Sequence, residues 1–149
     1  MKTIGLIGGM SWESTVTYYQ ILNQRVNAAL GGYHSAKMLL YNVDFAEVEA
    51  AQRAGDWRQV GELLADAARR LELGGADFVL LGTNTMHKSS AAIEAVVSIP
   101  FVHIADATAE ALATAYLDGQ LVNEPAGCAH HHDAEGGHEH HHHCDHGHQ

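Results

Sequence analysis

The amino-acid sequence predicts an α/β fold, a doubly wound layer built on a four-stranded parallel sheet. Two observations carry this prediction. Four short segments are continuously apolar, which is typical of strands covered on both faces. Longer segments with apolar residues at three- and four-residue spacing follow them, and two of these end at glycine pairs. Strands that alternate with helices favour parallel pairing through right-handed crossovers, which gives a flavodoxin-like layer.

The elements follow one another in a regular order. Strands are predicted at residues 3–8, 37–43, 77–81 and 100–104, and helices at residues 13–30, 45–54, 57–73, 86–97 and 106–117. The first helix carries Val16, Tyr19, Leu22 and Val26 on one face, which we expect to be buried. Asp106 is the candidate N-cap of the last helix. We expect the first strand to be central, in the order 2-1-3-4.

Composition divides the chain into a domain and a tail. Residues 1–118 carry the α/β pattern, whereas residues 119–149 hold both cysteines, Cys128 and Cys144, and most of the 13 histidines. Beyond Val122 the tail is almost without apolar residues and cannot bury enough surface to offset the entropy of ordering. We therefore expect it to be disordered in the absence of a ligand. Two cysteines confined to the tail also exclude a disulfide framework for the domain.

Charge and hydropathy exclude several classes of function. The 149 residues include 8 Lys and Arg against 18 Asp and Glu, a formal net charge of −10, and no basic cluster. Nucleic acids and anionic membranes are usually bound by a positive patch, so neither is an expected partner. No apolar run reaches the ~20 residues of a membrane span, and the N-terminus lacks the apolar core of a signal peptide. These features predict a cytoplasmic protein.

Two polar loops follow the first and third predicted strands, and ligands of such sheets bind beyond the carboxyl ends of the strands. The earlier loop, residues 8–15 (GGMSWEST), leads into a helix whose free N–H groups favour an anion such as a carboxylate. Alternatively, the loop is an ordinary turn in which Ser11 or Ser14 caps the helix. It contains neither the P-loop ending nor the GxGxxG dinucleotide fingerprint.

The later loop, residues 82–87 (GTNTMH), offers hydroxyls, an amide and backbone donors from Thr83, Asn84 and Thr85. Asn84 or Thr85 could equally serve only as a helix N-cap, and His87 is either a satisfied helix histidine or a site residue. After the second strand, Gln52 could reach a ligand carboxylate or be an ordinary solvated residue. Periodicity and loop composition alone indicate an α/β domain that binds a small molecule.

Six blocks of sequence carry a wider resemblance. They are residues 1–15 (MKTIGLIGGMSWEST), 34–36 (HSA), 43–45 (VDF), 52–53 (QR), 81–88 (LGTNTMHK) and 100–108 (PFVHIADAT). In their order and spacing they resemble the aspartate/glutamate racemase family. The resemblance implies an amino-acid racemase that acts on aspartate or glutamate by proton transfer at the α-carbon, without pyridoxal phosphate or any other cofactor.

The resemblance also implies roles for five residues. Thr83 matches the first proton-transfer group, which is a cysteine in many family members and a threonine in some. Thr83, Asn84 and Thr85 match positions that bind the substrate, Met10 matches a backbone contact, and Gln52 matches a side-chain contact. Because threonine is a weak base at neutral pH, such a site is expected to work asymmetrically or to favour one enantiomer.

The chain departs from the family in length. Family members hold the substrate between two similar α/β domains, each of which supplies one proton-transfer group. The second group is a cysteine in a Gly-Cys-Thr-Glu setting, which neither Cys128 nor Cys144 matches. The sequence therefore predicts half of a racemase site. A homodimer of this chain is a possible assembly. The alternative is a non-catalytic protein on the same fold that binds amino acids or binds and stores metal.

The tail contains a dense set of metal ligands. Imidazole and thiolate suit nickel and zinc, although no spacing matches a closed structural site. The tail resembles the His-rich extensions of nickel-handling accessory proteins. A purification tag, or a frameshifted or fused gene end, would also explain its composition. The candidate metal ligands are His130, His131, His132, His138, His140, His141, His142, His143, Cys144, His146 and His148.

Overall fold

A computed structural model describes residues 1–118, and the predicted tail lies outside the described residues. Within them, four parallel strands form one sheet in the order β2-β1-β3-β4, which confirms the predicted fold class and strand order. The strands are β1 (Ile4–Gly8), β2 (Met38–Asn42), β3 (Phe78–Leu81) and β4 (Phe101–Val102). The helices are α1 (Trp12–Leu30), α2 (Phe45–Arg53), α3 (Trp57–Leu73), α4 (Ser90–Glu94) and α5 (Ile104–Leu117).

One face of the sheet is covered closely by α3. The apolar stripe of this helix includes Val60, Leu64 and Leu71, which are buried in one cluster with Ile7 of β1 and Val79 of β3. Full burial of side chains of this size stabilises a fold by roughly 1.5–3 kcal/mol each. This face therefore supplies most of the hydrophobic core, and it holds β1 and β3, whose carboxyl ends carry the loops described below.

The opposite face carries α1 and α5 and is packed less closely. Of the 19 residues of α1, only Thr15 is buried. Val16 and Tyr19 are 45% and 54% exposed, so the expectation that they are buried is wrong. The physical reason is that both side chains line an open hollow between α1 and the edge strand β2, beside Leu40 and Asn42. A separate apolar hollow of about 350 Å³ lies between α1 and α5, and its lining includes Leu80 and Val102.

The segment between β3 and α5 also departs from the prediction. In place of one helix over residues 86–97, the structure has a 3-10 helix at Thr85–Ser89 followed by α4. The His87 N–H donates to the Asn84 carbonyl, three residues back, at 3.2 Å, which is the 3-10 pattern. In addition, α5 begins at Ile104, so Asp106 lies in its first turn and is not its N-cap.

Candidate functional site

The ends of the two central strands bring two polar loops together. Ile7 of β1 pairs in register with Leu81 of β3. The Gly82 N–H then donates to the Ile7 carbonyl at 2.9 Å. Residues 9–11, called here the first loop, and residues 82–85, called the second loop, therefore leave the sheet side by side at its carboxyl edge.

Gly9 is the position at which the first loop requires glycine. Its φ of 95° is a conformation that residues with a side chain rarely adopt. A Cβ atom there would lie 2.4 Å from the carbonyl oxygen of Val43. The Val43 N–H in turn donates to the Gly8 carbonyl at 2.9 Å. The first loop is thus pressed against the chain that follows β2, with no room for a side chain at Gly9.

A buried threonine hydroxyl holds the first loop in shape. The Gly9 N–H donates to Thr15 Oγ1 at 2.9 Å, and this hydroxyl donates to the Ser11 carbonyl at 3.2 Å. Ser11 occupies the N-cap position of α1, but its side chain caps no helix N–H. The N–H groups in the first turn of α1 have no intrahelical acceptor and carry the positive end of the helix dipole. They are therefore available to an anion.

The second loop presents polar side chains at the end of β3. Thr83 is half-buried, whereas Asn84 and Thr85 are exposed. Asn84 stands at the N-cap position of the 3-10 helix, yet its side chain makes no capping hydrogen bond. Within residues 1–118, the Thr83 hydroxyl also has no hydrogen-bond partner, since the contact recorded for Thr83 is through its carbonyl. These groups can therefore bind a ligand.

His87 uses both ring nitrogens on backbone groups. Its Nδ1 lies 2.6 Å from the Thr83 carbonyl oxygen, and the Ile104 N–H donates to its Nε2 at 3.3 Å. Because a carbonyl oxygen can only accept, Nδ1 carries the proton and Nε2 is the acceptor. Of the two interpretations of His87 from the sequence, the satisfied histidine is correct. Neither nitrogen is free to take a proton from a substrate.

Met10 and Gln52 are placed differently from the second-loop residues. The Met10 side chain is 6% exposed and packs in the core, so it is the Met10 backbone that lies in the first loop. Gln52 is half-buried in the last turn of α2, seven residues beyond Phe45, which is about 10 Å along a helix. Within residues 1–118 its side chain makes no hydrogen bond to either loop. Met10 therefore shares the carboxyl edge of the sheet with residues 83–85, whereas no described hydrogen bond connects Gln52 to that edge.

Two hollows border the second loop. The apolar hollow between α1 and α5 includes Tyr18, which lies under Gly82, and burial raises the pKa of the Tyr18 phenol, so that it stays neutral. A second, open hollow of about 480 Å³ is lined by residues that include Asn84, Ile104 and Thr108. Its volume is in the range of small-molecule sites.

Two kinds of feature are absent from the described part of the chain. Across residues 1–118, no helix combines the length and apolar character needed to cross a bilayer. The same residues contain no group of three or more His, Cys, Asp or Glu side chains arranged to hold a metal ion. The candidate metal ligands of the tail all lie outside the described residues.

The sequence pattern did not identify Thr15 or the anchoring role of His87. A threonine in the first turn of a helix has many ordinary roles, so no local signal marks Thr15. The contact of His87 with Ile104 joins residues 17 positions apart, and it exists only because β4 brings α5 back to the second loop.

The fold and the adjoining loops define a class of protein: a parallel α/β domain with a candidate small-molecule site at the carboxyl ends of β1 and β3. The family model for Asp/Glu/Hydantoin racemase matches residues 7–122, which is most of the chain. The chain belongs to this family. The resemblance found in the six sequence blocks is thereby confirmed.

Solved structures give the same result. A putative Asp/Glu racemase from Yersinia pestis is 52% identical, with a TM-score of 0.73 over 80% of this chain and 50% of that one. An aspartate racemase homologue from Pyrococcus horikoshii is 32% identical, with a TM-score of 0.71 over 76% and 50% of the two chains. The aspartate racemase of Picrophilus torridus, at 24% identity, shares the fold, with a TM-score of 0.61 over 76% and 75%. The chain spans half the length of the first two relatives.

Proposed function

We propose that this chain binds aspartate or glutamate between its first and second loops and moves the proton on the α-carbon through the Thr83 hydroxyl. The observation that supports this proposal most is the pairing of β1 with β3, which sets the two loops side by side. Membership of the racemase family supports the type of reaction. The chain would supply one half of a racemase site, because it spans half the length of the first two relatives.

The first step is the binding of the substrate carboxylate. The uncapped N–H groups in the first turn of α1 provide donors and the positive end of a helix dipole, which suit a carboxylate. Asn84 and Thr85 supply further donors from the second loop, since both side chains are exposed. Gln52 enters this proposal only through the family resemblance.

The second step is removal of the α-proton, which leaves negative charge that spreads into the substrate carboxylate. Donors already fixed around that carboxylate stabilise the charge as it develops, so binding and catalysis use the same groups. Thr83 Oγ1 is the proposed acceptor of the α-proton, once its own hydroxyl proton has passed to solvent; the transfer then regenerates the hydroxyl. Because a threonine hydroxyl rarely gives up its proton at neutral pH, this step should be slow.

Racemisation also needs a second group that returns a proton on the opposite face of the α-carbon. The resemblance assigns that group to the half of the racemases that this chain does not match. With Thr83 alone, a solvent-derived hydron returns to the face from which the proton left. The expected reaction is therefore exchange of the α-proton with retention of configuration, without any cofactor.

Hydrogen exchange tests this proposal. The chain is incubated with L-aspartate or L-glutamate in D₂O while NMR follows the α-proton and chiral chromatography follows configuration. We expect the α-proton signal to disappear faster than the D-enantiomer forms. Thr83→Ala should abolish exchange and Thr83→Ser should keep part of it. Thr83→Cys should accelerate it, because a thiol with a pKa near ~8.5 forms a base far more readily.

Two results would contradict the catalytic proposal. Equal exchange in Thr83→Ala would remove the proposed role of Thr83. No exchange with either amino acid, combined with measurable binding in calorimetry, would favour the alternative of a non-catalytic amino-acid-binding protein.

A second activity, metal binding or storage by the tail, is proposed from the sequence alone. Ten of the 13 histidines lie between His130 and His148, and neutral imidazole binds nickel and zinc. Equilibrium dialysis should show several ions per chain at pH ~7.5 and loss of most of them near pH ~5, where protons compete for the same nitrogens. A variant without residues 121–149 is the control, and equal binding by that variant would refute the proposal.

The cytoplasmic location of the protein and its assembly as a homodimer stay predictions from the sequence.

A further inference from the structure

We infer that His87 is a positioning residue that fixes the direction of the Asn84 backbone N–H and thereby aims it at the substrate. The inference rests on the proposed function of the second loop. It assigns His87 no contact with the substrate. His87 would act through the peptide group that joins Thr83 to Asn84, and it would connect that peptide to the start of α5.

The hydrogen bonds of the ring exclude a role as base or acid. Nδ1–H donates to the Thr83 carbonyl, and Nε2 accepts from the Ile104 N–H. A general base needs an acceptor nitrogen directed at the substrate. Both nitrogens of His87 face the protein backbone, so what the ring contributes is the orientation of the groups it holds.

The group that His87 orients is the whole peptide unit that joins Thr83 to Asn84. In a trans peptide the carbonyl and the N–H of the next residue lie in one plane and point in opposite directions. A hydrogen bond from His87 to the Thr83 carbonyl therefore also sets the direction of the Asn84 N–H, which points away from the ring. Within residues 1–118 the Asn84 N–H has no acceptor, so it is available as a donor to negative charge on the substrate.

The ring itself is held on its other sides. Phe101 and His103 pack against it, with ring centroids 5.9 and 6.0 Å from that of His87. His103 is held in turn by Glu94 of α4, whose Oε1 lies 2.6 Å from His103 Nε2. Contacts with residues of β4, α5 and α4 thus fix the His87 ring. The hydrogen bond from the ring to the Thr83 carbonyl then fixes the second loop relative to these elements.

Three substitutions separate the two hydrogen bonds. His87→Phe keeps a ring of similar size but has no polar atom. His87→Asn keeps a donor for the carbonyl four residues back, as Asn23 shows in α1, where Nδ2 donates to the Tyr19 carbonyl at 2.9 Å. His87→Gln offers an acceptor in the region of Nε2, for the Ile104 N–H.

The α-proton exchange assay then distinguishes positioning from general stability. We expect His87→Phe to lower the rate at saturating substrate by roughly tenfold to a hundredfold, the scale of a misplaced catalytic group. His87→Asn should restore most of the rate and His87→Gln should not. A His87→Phe rate equal to wild type, or equal rates in the Asn and Gln variants of matched melting temperature, would overturn the inference.

A second measurement keeps the inference independent of catalysis. Long-range ¹H–¹⁵N correlation spectra of the wild-type chain should show His87 protonated at Nδ1, and the Nε2–H tautomer would overturn the inference. Should the wild type fail to exchange α-protons, the proposed catalytic function fails. The positioning inference is then decided by this tautomer and by the Asn84 amide resonance, which should move in His87→Phe and return toward its place in His87→Asn.

Discussion

The first and second loops border the same candidate site but are held in different ways. The first loop is held from within its own helix, because Thr15 hydrogen-bonds the backbone at both ends of the loop from the first turn of α1. The second loop is held from a distance, because His87 connects Thr83 to Ile104, 17 residues from the ring. The hydrogen bonds to Thr15 that hold the first loop therefore stay within residues 9–15, whereas those of the second loop require β4 and α5 to be in place.

The difference indicates which kind of change each loop tolerates. Steric fit limits the first loop, since Gly9 has a positive φ and no space for a Cβ atom. The second loop has room for added atoms, because the side chains of Asn84 and Thr85 are exposed. Its conformation depends instead on the hydrogen bonds that His87 makes. Added atoms should damage the first loop most, and lost polar groups should damage the second.

The largest expected effect is that of Gly9→Ala. It combines an unfavourable backbone conformation with a collision, so it should lower the free energy of unfolding by about 2–5 kcal/mol. Gly55→Ala is the matched control, because Gly55 has a φ of 70° and nothing within 4 Å of an added Cβ. It should cost only about 1–2 kcal/mol. Urea denaturation measures both, and equal losses would show that steric fit does not define the first loop.

An intermediate effect is expected from Thr15→Val, which keeps the shape of the side chain and removes the hydroxyl. The buried Gly9 N–H would lose its acceptor, at a cost of about 1–3 kcal/mol. Thr15→Ser keeps the hydroxyl and loses one methyl group, at about 0.8 kcal/mol. Denaturation and amide hydrogen exchange of Gly9 compare the two variants. A serine variant less stable than the valine variant would mean that the methyl group holds the loop.

The smallest effect is expected from Ser11→Ala. Although Ser11 occupies the N-cap position of α1, its side chain makes no capping hydrogen bond, so the change should stay within about 0.5 kcal/mol. Asp56 is the contrast, since its Oδ1 accepts the Gln59 N–H at 3.0 Å. Asp56→Ala should cost about 1 kcal/mol. Thermal melts of the two variants test this, and a larger loss from Ser11→Ala would show that Ser11 does cap the helix.

Local patterns were sufficient to predict the sheet. Apolar strands and amphipathic helices are properties of short segments, and the topology of a flavodoxin-like layer then predicted the order β2-β1-β3-β4. The start of α5 did not, because Ile104 is held by His87, a contact between distant residues. The exposure of Val16 and Tyr19 was also missed, since periodicity shows that a helix has an apolar face but not what covers it.

The residues of the candidate site also separate into those that local sequence patterns predict and those that only contacts in the fold reveal. Thr83, Asn84 and Thr85 could be proposed as site residues because polar residues follow an apolar strand at the edge where ligands bind. Thr15 and the anchoring by His87 could not, because their functions depend on which backbone atoms they reach. Gln52 was a candidate both from its place after the second strand and from the resemblance, and the described contacts do not connect it to either loop.

The central claim is that the first and second loops form one binding site for an acidic amino acid. Titration of ¹⁵N-labelled chain with L-aspartate, followed by amide chemical shifts, tests this claim most directly. The account predicts that residues 9–14 and residues 82–85 shift together with a single dissociation constant, while the outer face of α3 stays unchanged. Shifts confined to one loop, or centred away from the carboxyl edge of the sheet, would contradict it.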